Sequence, residues 1–265
     1  MRKKWIRDNL APSSGVLTMI IHSYESSPRS DACVRYLRES DVAKCVEKII
    51  LLPIPTTKDN RTVSKTNIYI NEVLDGISAE NVICGYGLPD EFTDNARQMG
   101  ARVFDLGRDE DFLSYNAQLT ALCALGIILG STAVSIGDMT VGVVGYGRIG
   151  KRLTNILLYL GASVRVFTSR ESVRLELCEW GVATALSAVG ADLSGLDILI
   201  NTAPARIFEP SAIPKNLRVI ELASGDNFQG LDRVEKYPSI PAKMFPASAG
   251  IAWGKAVERF IADNK

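Results

Sequence analysis

The chain has 265 residues, 46% of them hydrophobic and 23% charged, with 30 Lys+Arg set against 30 Asp+Glu. That composition belongs to a globular protein with room for two small domains or one large one. The charge balance leaves no net field to draw the chain to nucleic acid or to an anionic membrane surface.

Taken in chain order, the basic start Met1-Arg-Lys-Lys4 is followed by the apolar run Val16-Leu-Thr-Met-Ile-Ile21. This run is too short and too soon interrupted to be a signal core or a membrane span, so a cytoplasmic location is expected. Strand-like runs cover Val16 to Ser23, Lys48 to Ile54, Asn81 to Gly85 and Ala101 to Leu106, each nearly continuous in apolar residues as when helices cover both faces of a sheet. Helical patterns lie between them around Ser30 to Glu39 and Pro89 to Met99. Residues 1–112 are therefore expected to form an N-terminal α/β domain on the substrate side. Residues 113–138 carry the run Leu119-Thr-Ala-Leu-Cys-Ala-Leu-Gly-Ile-Ile-Leu129 and read as a connecting helix. Five cysteines, Cys33, Cys45, Cys84, Cys123 and Cys178, are scattered and make no C-x-x-C pair, so reduced, mostly buried thiols are expected, and no metal site.

The second half repeats the α/β alternation: strand Val141 to Val144, helix Arg148 to Leu160, strand Ser163 to Thr168, helix Glu171 to Trp180, strand Asp197 to Thr202 and strand Arg218 to Ala223. Pro238 and Pro241 punctuate the approach to a short strand expected at Lys243 to Pro246, and a last helix is expected near Trp253 to Ala262. The predicted fold is thus α/β with two α/β domains, the C-terminal one a Rossmann-type doubly wound parallel sheet over residues 139–248, closed by a C-terminal helix in residues 249–265.

Val141-Gly-Val-Val-Gly-Tyr-Gly-Arg-Ile-Gly150 runs from a strand into a helix. In such a device Gly145 permits the tight turn, Gly147 lets the backbone approach a pyrophosphate, and Gly150 lets helix and strand pack closely. The helix start at Arg148, Ile149 and Gly150 offers N–H groups and a positive dipole end to phosphates. A dinucleotide is the ligand this predicts. An NAD site places an Asp or Glu about 20 residues after the glycines to hold the ribose 2′-hydroxyl, whereas an Arg there suits a 2′-phosphate. Here the second strand ends in Phe167-Thr168-Ser169-Arg170, so NADP is preferred over NAD. The alternative is that Ser169 caps the next helix and Arg170 is solvated. Asn201-Thr202-Ala203-Pro204 and Glu221-Leu-Ala223-Ser-Gly225 end later strands and are expected to face the nicotinamide side of the crevice. The sole histidine, His22, ends the first strand and is a minor catalytic candidate.

Several segments resemble the dipicolinate synthase A family: Ile49-Ile-Leu-Leu-Pro-Ile-Pro55, Asn81-Val-Ile-Cys-Gly85, Arg108 to Asn116, Val141 to Arg152, Asp197 to Pro204, Val219 to Ser224 and Gly250-Ile-Ala-Trp-Gly-Lys255. The resemblance runs from about residue 16 to the C-terminus. It implies a nucleotide domain similar to those of D-2-hydroxyacid dehydrogenases and NADP-linked oxidation of a dihydrodipicolinate-type precursor to the pyridine dicarboxylate. It also implies a partner, the second, flavoprotein-like component of dipicolinate synthase, and a role in spore formation. A dicarboxylate substrate needs cations and N–H donors, for which Lys255, Arg206 and Asn116 are candidates. Asn116, Thr120 and Lys255 are the catalytic candidates on this reading, although Asn116 alternatively caps a following helix. A homodimer buried through Leu119 to Leu129 and the small-residue run near Ala247 is expected.

The chain also departs from the family pattern. The family follows its Tyr-Asn with Pro-Thr-x-Glu-Gly, whereas Tyr115-Asn-Ala-Gln-Leu-Thr-Ala-Leu-Cys123 keeps Thr120 and places Leu122 where the glutamate would stand. The opening Gly-Gly-Asp turn is replaced by His22-Ser-Tyr-Glu25, and a proline by Ala249. Leucine cannot accept a proton or bind a cation. Two readings therefore stay open: an enzyme of the dipicolinate synthase A type or one acting on a different small carboxylate, and a diverged nucleotide-binding or assembly protein without turnover.

Overall fold

The computed structural model describes residues 19–186, 190–225 and 227–264. The described residues form two compact units, one from residues 19–109 and 250–264, the other from those between Glu110 and Ala249. Each contains a fully parallel sheet, of four strands in the first unit and six in the second.

In the first unit the sheet order is β1 (Ile20–Ser23), β2 (Lys48–Leu51), β3 (Asn81–Gly85), β4 (Arg102–Asp105). The start expected at Val16 lies outside the described residues. Register places Ile50 level with His22 on one side and Ile83 on the other. Because successive strand side chains alternate faces, Ile50, Leu52, Ile83 and Val103 share one core with Phe92 and Ala96 of helix α2 (Asp90–Gln98). Helix α1 (Pro28–Glu39) starts where the sequence provides both halves of a capping box. Ser27 Oγ accepts from the Ser30 backbone N–H, Ser30 Oγ accepts from that of Ser27, and Pro28 fills the first turn.

The second unit opens with helix α3 (Glu110–Leu129). This helix therefore belongs to the second unit rather than forming a separate connector. From Leu119 onward it is apolar on buried and exposed faces alike apart from Thr120: Ala121, Ala124 and Ile128 are buried while Leu122 and Leu129 are exposed. Among the described residues α3 is the one helix long and apolar enough to cross a membrane, by length and composition only; here one face packs on helix α4 (Arg148–Tyr159). The strands are β5 (Thr140–Val144), β6 (Ser163–Phe167), β7 (Ala183–Ala185), β8 (Ile198–Asn201), β9 (Arg218–Glu221) and β10 (Val234–Lys236), with helix α5 (Glu171–Glu179) between β6 and β7. Their spatial order is β10-β9-β8-β5-β6-β7. The chain first winds outward from β5 to β7, then restarts at β8 on the other side of β5 and winds the opposite way. This is the doubly wound arrangement predicted from the sequence, and it puts a topological switch point between β5 and β8.

Two edge strands, β7 and β10, have no counterpart in the sequence pattern. Each has three residues, and none of the six is buried, so no apolar run marks them. The strand expected at Lys243 to Pro246 is corrected: Ile240–Met244 is helix α6, and Pro246 opens helix α7 (Pro246–Asp263). Pro241 sits in the first turn of α6, where its missing N–H costs nothing, so the prolines mark helix starts and not a strand.

From Gly250 onward α7 belongs to the first unit. The Gly250-to-Lys255 segment acts there as a packing surface against α1. A Cβ at Gly250 would lie 2.2 Å from the Arg29 carbonyl oxygen, and one at Gly254 would lie 2.6 Å from the Tyr36 ring. Trp253 is fully buried, with its Nε1–H on Cys84 Sγ at 3.3 Å and the Arg29 guanidinium 5.6 Å from its ring centroid.

Candidate functional site

The carboxyl ends of β5 and β8 converge at the switch point of the second unit. Gly145 leaves β5 with φ +86°, a conformation that glycine alone adopts freely. At Gly150 the requirement is close approach: a Cβ would lie 2.0 Å from the Gly145 carbonyl oxygen and 2.9 Å from Thr202 Oγ1. Gly147 is different. A Cβ there would meet nothing within 4 Å, so protein packing does not require that glycine. Gly147 is also the N-cap of α4, and no side chain caps the helix. An open glycine beside an uncapped helix start is what a phosphate bridge needs from a backbone, and the residues present fit a dinucleotide.

Thr202 and Asn201 are tied into the protein itself. Thr202 Oγ1 donates to the Val144 carbonyl at 2.8 Å. Asn201, almost fully buried, donates from Nδ2 to the Ala203 carbonyl and to Glu221 Oε1, both at 2.9 Å, and accepts from the Ala203 N–H. Glu221, also buried, accepts further from the Ala223 N–H and from Asn227 Nδ2. Burial pushes the Glu221 carboxyl above its ordinary range, against the opposing pull of the hydrogen bonds from Asn227, Ala223 and Asn201. Thr202, Ala203, Pro204 and Ala223, the expected cofactor contacts, follow the ends of β8 and β9, where Asn201 and Glu221 hold their backbone. The Asn201–Glu221 pairing has no sequence signal, since a strand-end Asn and a strand-end Glu say nothing of each other until β8 and β9 pair in register.

At the end of β6, Thr168 is buried and its hydroxyl accepts from the Arg170 backbone N–H at 3.3 Å, while Ser169 and Arg170 are exposed. The cap position of α5 is Arg170 with no capping side chain, so Ser169 does not cap the helix. Arg170 Nη2 reaches back across the glycine loop to donate to the Tyr146 carbonyl. A pocket of about 490 Å³ adjoins this loop. Four cations line it, Arg148, Lys151, Arg152 and Arg170, against one carboxylate, Glu110. Arg148 pairs with both Glu110 oxygens, and Arg152 donates to the carbonyl and hydroxyl of Ser114. Tyr146, between the first two glycines, is buried with its hydroxyl unpartnered, and burial raises its pKa.

The catalytic candidates fare unevenly. Asn116 lies within α3, past its first turn, so it does not cap a helix. Its carbonyl accepts from Thr120 Oγ1 at 2.8 Å, and Thr120 is buried. Leu122 is exposed on α3. Lys255 is an exposed residue of α7 in the first unit, whereas Asn116 and Thr120 belong to the second. Arg206 is exposed and paired with Glu209 at 2.8 Å. His22 is half-buried in β1.

The switch point, glycine loop and strand order define a Rossmann-type α/β protein with a second parallel α/β unit. Among solved structures the chain is similar to dipicolinate synthase A from Bacillus halodurans, with a TM-score of 0.71 and 20% identity over 94% of this chain and 99% of that one. Dipicolinate synthase A from Bacillus subtilis also has a TM-score of 0.71, with 19% identity over 92% of this chain and 95% of that one. A transhydrogenase from Sinorhizobium meliloti follows at 0.63, with 15% identity over 93% and 94% of the two chains. At these identities the likeness is one of fold. No protein-family model and no curated protein matches the chain.

Proposed function

We propose that the second unit binds NADP and that the protein is an oxidoreductase acting on a small dicarboxylate of the dihydrodipicolinate type. The observation that carries the cofactor reading is the open Gly147 beside the uncapped start of α4, at the switch point of a doubly wound sheet. The preference for NADP rests on the end of β6, where Thr168, Ser169 and Arg170 stand in place of a carboxylate. The substrate class rests on the resemblance in sequence, supported by the likeness in fold to dipicolinate synthase A.

The bound nicotinamide would supply the hydride acceptor. The work of this chain is to hold and orient: the amides of Arg148, Ile149 and Gly150 take the phosphate bridge, Arg170 takes the 2′-phosphate, and the Asn201–Glu221 network fixes the strand ends. Asn116, Thr120 and Lys255 are the proposed substrate-side residues. A cytoplasmic homodimer that works with a flavoprotein-like partner completes the reading.

Two observations favour a second reading, nucleotide binding without turnover. Leu122 offers no carboxylate, and the hydroxyl of Thr120 is spent on the Asn116 carbonyl. Fluorescence titration with NADPH and NADH, followed by an absorbance assay for reduced cofactor with a dihydropyridine dicarboxylate, separates the two. Tight NADPH binding with turnover supports the enzyme, and binding without turnover selects the second reading. Absence of binding by any nicotinamide dinucleotide at millimolar concentration overturns both.

A further inference from the structure

The pocket beside the glycine loop holds four cations and a single acid, and the acid is placed where an anion would be useful. Glu110 opens α3 and Arg148 opens α4. Arg148 Nε donates to Glu110 Oε2 at 3.1 Å and Arg148 Nη2 to Glu110 Oε1 at 2.5 Å, so two oxygens meet the two arms of the guanidinium fork. A phosphomonoester presents its oxygens to arginine in the same way. The carboxylate thus has the shape and charge of a phosphate stand-in.

Its neighbours retain donors. Arg170 spends Nη2 on the Tyr146 carbonyl. Lys151 is held loosely, 3.7 Å from Glu176 Oε1 and 5.8 Å from the Tyr146 ring centroid. Gly147, on the wall of the same pocket, has open space in front of its α-carbon. The pair itself is half-solvated, with side-chain exposures of 52% for Arg148 and 72% for Glu110. An ion pair so exposed is weak and readily opened by a dianion.

We propose that Glu110 is an internal counter-anion which a ribose-bound phosphomonoester displaces from Arg148, so that this carboxylate sets how strongly the chain prefers the phosphorylated over the plain dinucleotide. The proposal rests on the dinucleotide reading above and names a specificity residue within it. With Glu110 present, the phosphate has to compete for Arg148; with Glu110 neutralised, the Arg148 fork is open to the phosphate. NADH, which carries a ribose hydroxyl there, makes no such exchange.

The test is direct binding, by calorimetry or by fluorescence of the reduced nucleotide, with NADPH and NADH on the full chain. Glu110→Gln is expected to tighten NADPH about two- to fivefold and to leave NADH unchanged. Arg148→Gln is expected to weaken NADPH about tenfold. In the Arg148→Gln background, adding Glu110→Gln is expected to change nothing. Circular dichroism melts confirm that each variant folds. The proposal is overturned if Glu110→Gln shifts both nucleotides by the same factor or neither, or if its gain persists without Arg148. Equal binding of NADH and NADPH by both the wild type and Glu110→Gln sinks the proposal and leaves the dinucleotide reading standing, whereas failure to bind either nucleotide removes both.

Discussion

Thr202 Oγ1 donates to the Val144 carbonyl and lies 2.9 Å from where a Cβ on Gly150 would be, so one hydroxyl joins β8 to β5 and also closes the space beside α4. The three glycines of the loop then separate by cause. Gly150→Ala drives a methyl to within 2.0 Å of the Gly145 carbonyl and is expected to destabilise the second unit by about 3 kcal/mol or more. Gly147→Ala meets open space at an ordinary φ of −85°, so stability is expected to hold within about 1 kcal/mol while dinucleotide affinity falls about tenfold or more. Paired thermal melts and nucleotide titrations of the two variants check this. Equal loss of stability in both would show that Gly147 is a packing glycine like Gly150.

Glu221 accepts from three donors, the buried side-chain amides of Asn201 and Asn227 and the part-buried backbone N–H of Ala223. Replacing it by alanine leaves the Asn201 and Asn227 amides short of an acceptor in a buried place. Glu221→Ala is therefore expected to cost about 2–3 kcal/mol in denaturant unfolding and to loosen nucleotide binding, because the loops after β8 and β9 lose their brace. A variant as stable as wild type would show that the network has no structural role.

The winding of both sheets is legible in the sequence because it follows from local pattern. The apolar runs at Lys48 to Leu51, Asn81 to Gly85 and Val141 to Val144 can be satisfied only by helices on both faces. The glycine loop is legible because backbone geometry demands glycine at Gly145 and Gly150. What the sequence conceals is relational. Glu110 lies 38 residues before Arg148, and nothing in either segment announces their pairing. The Gly250-to-Lys255 segment reads as a substrate motif, yet its glycines serve close packing of α7 on α1. Three-residue edge strands such as Val234–Lys236 are made by a neighbour's free hydrogen-bonding edge, not by their own hydrophobicity.

Tyr36 on α1 donates its hydroxyl to Glu258 of α7, which also accepts from Ser40. Burial first, then the hydrogen bond and the charge of Glu258, push the phenol up to about 12 from 10.0. The folded state holds this proton more tightly than the unfolded chain. The stability it contributes is therefore complete below about pH 10 and is lost as pH rises toward about 12. Tyr36→Phe is expected to flatten the alkaline limb of the stability profile between those values. Ultraviolet titration of the tyrosines should lack one late-ionising group in the variant; an unchanged titration would place the late group elsewhere.

Arg29 and Glu25 form an ion pair in the interior of the first unit, with side chains 6% and 3% exposed. Arg29 Nη2 donates to Glu25 Oε1 and Oε2 at 3.0 and 2.8 Å, while Nε is buried without a partner. Glu25→Ala would strand a cation between the Trp253 indole and the Ile54 carbonyl, at an expected cost of about 3–5 kcal/mol. The desolvation penalty belongs to the charge, not to the pair, so removing both charges should be milder than removing one. Glu25→Ala with Arg29→Met is expected to recover more than half of the single-variant loss in chemical denaturation. If the double variant is instead less stable than Glu25→Ala, Arg29 stabilises the first unit without Glu25, through its place over the Trp253 ring and its bond to the Ile54 carbonyl.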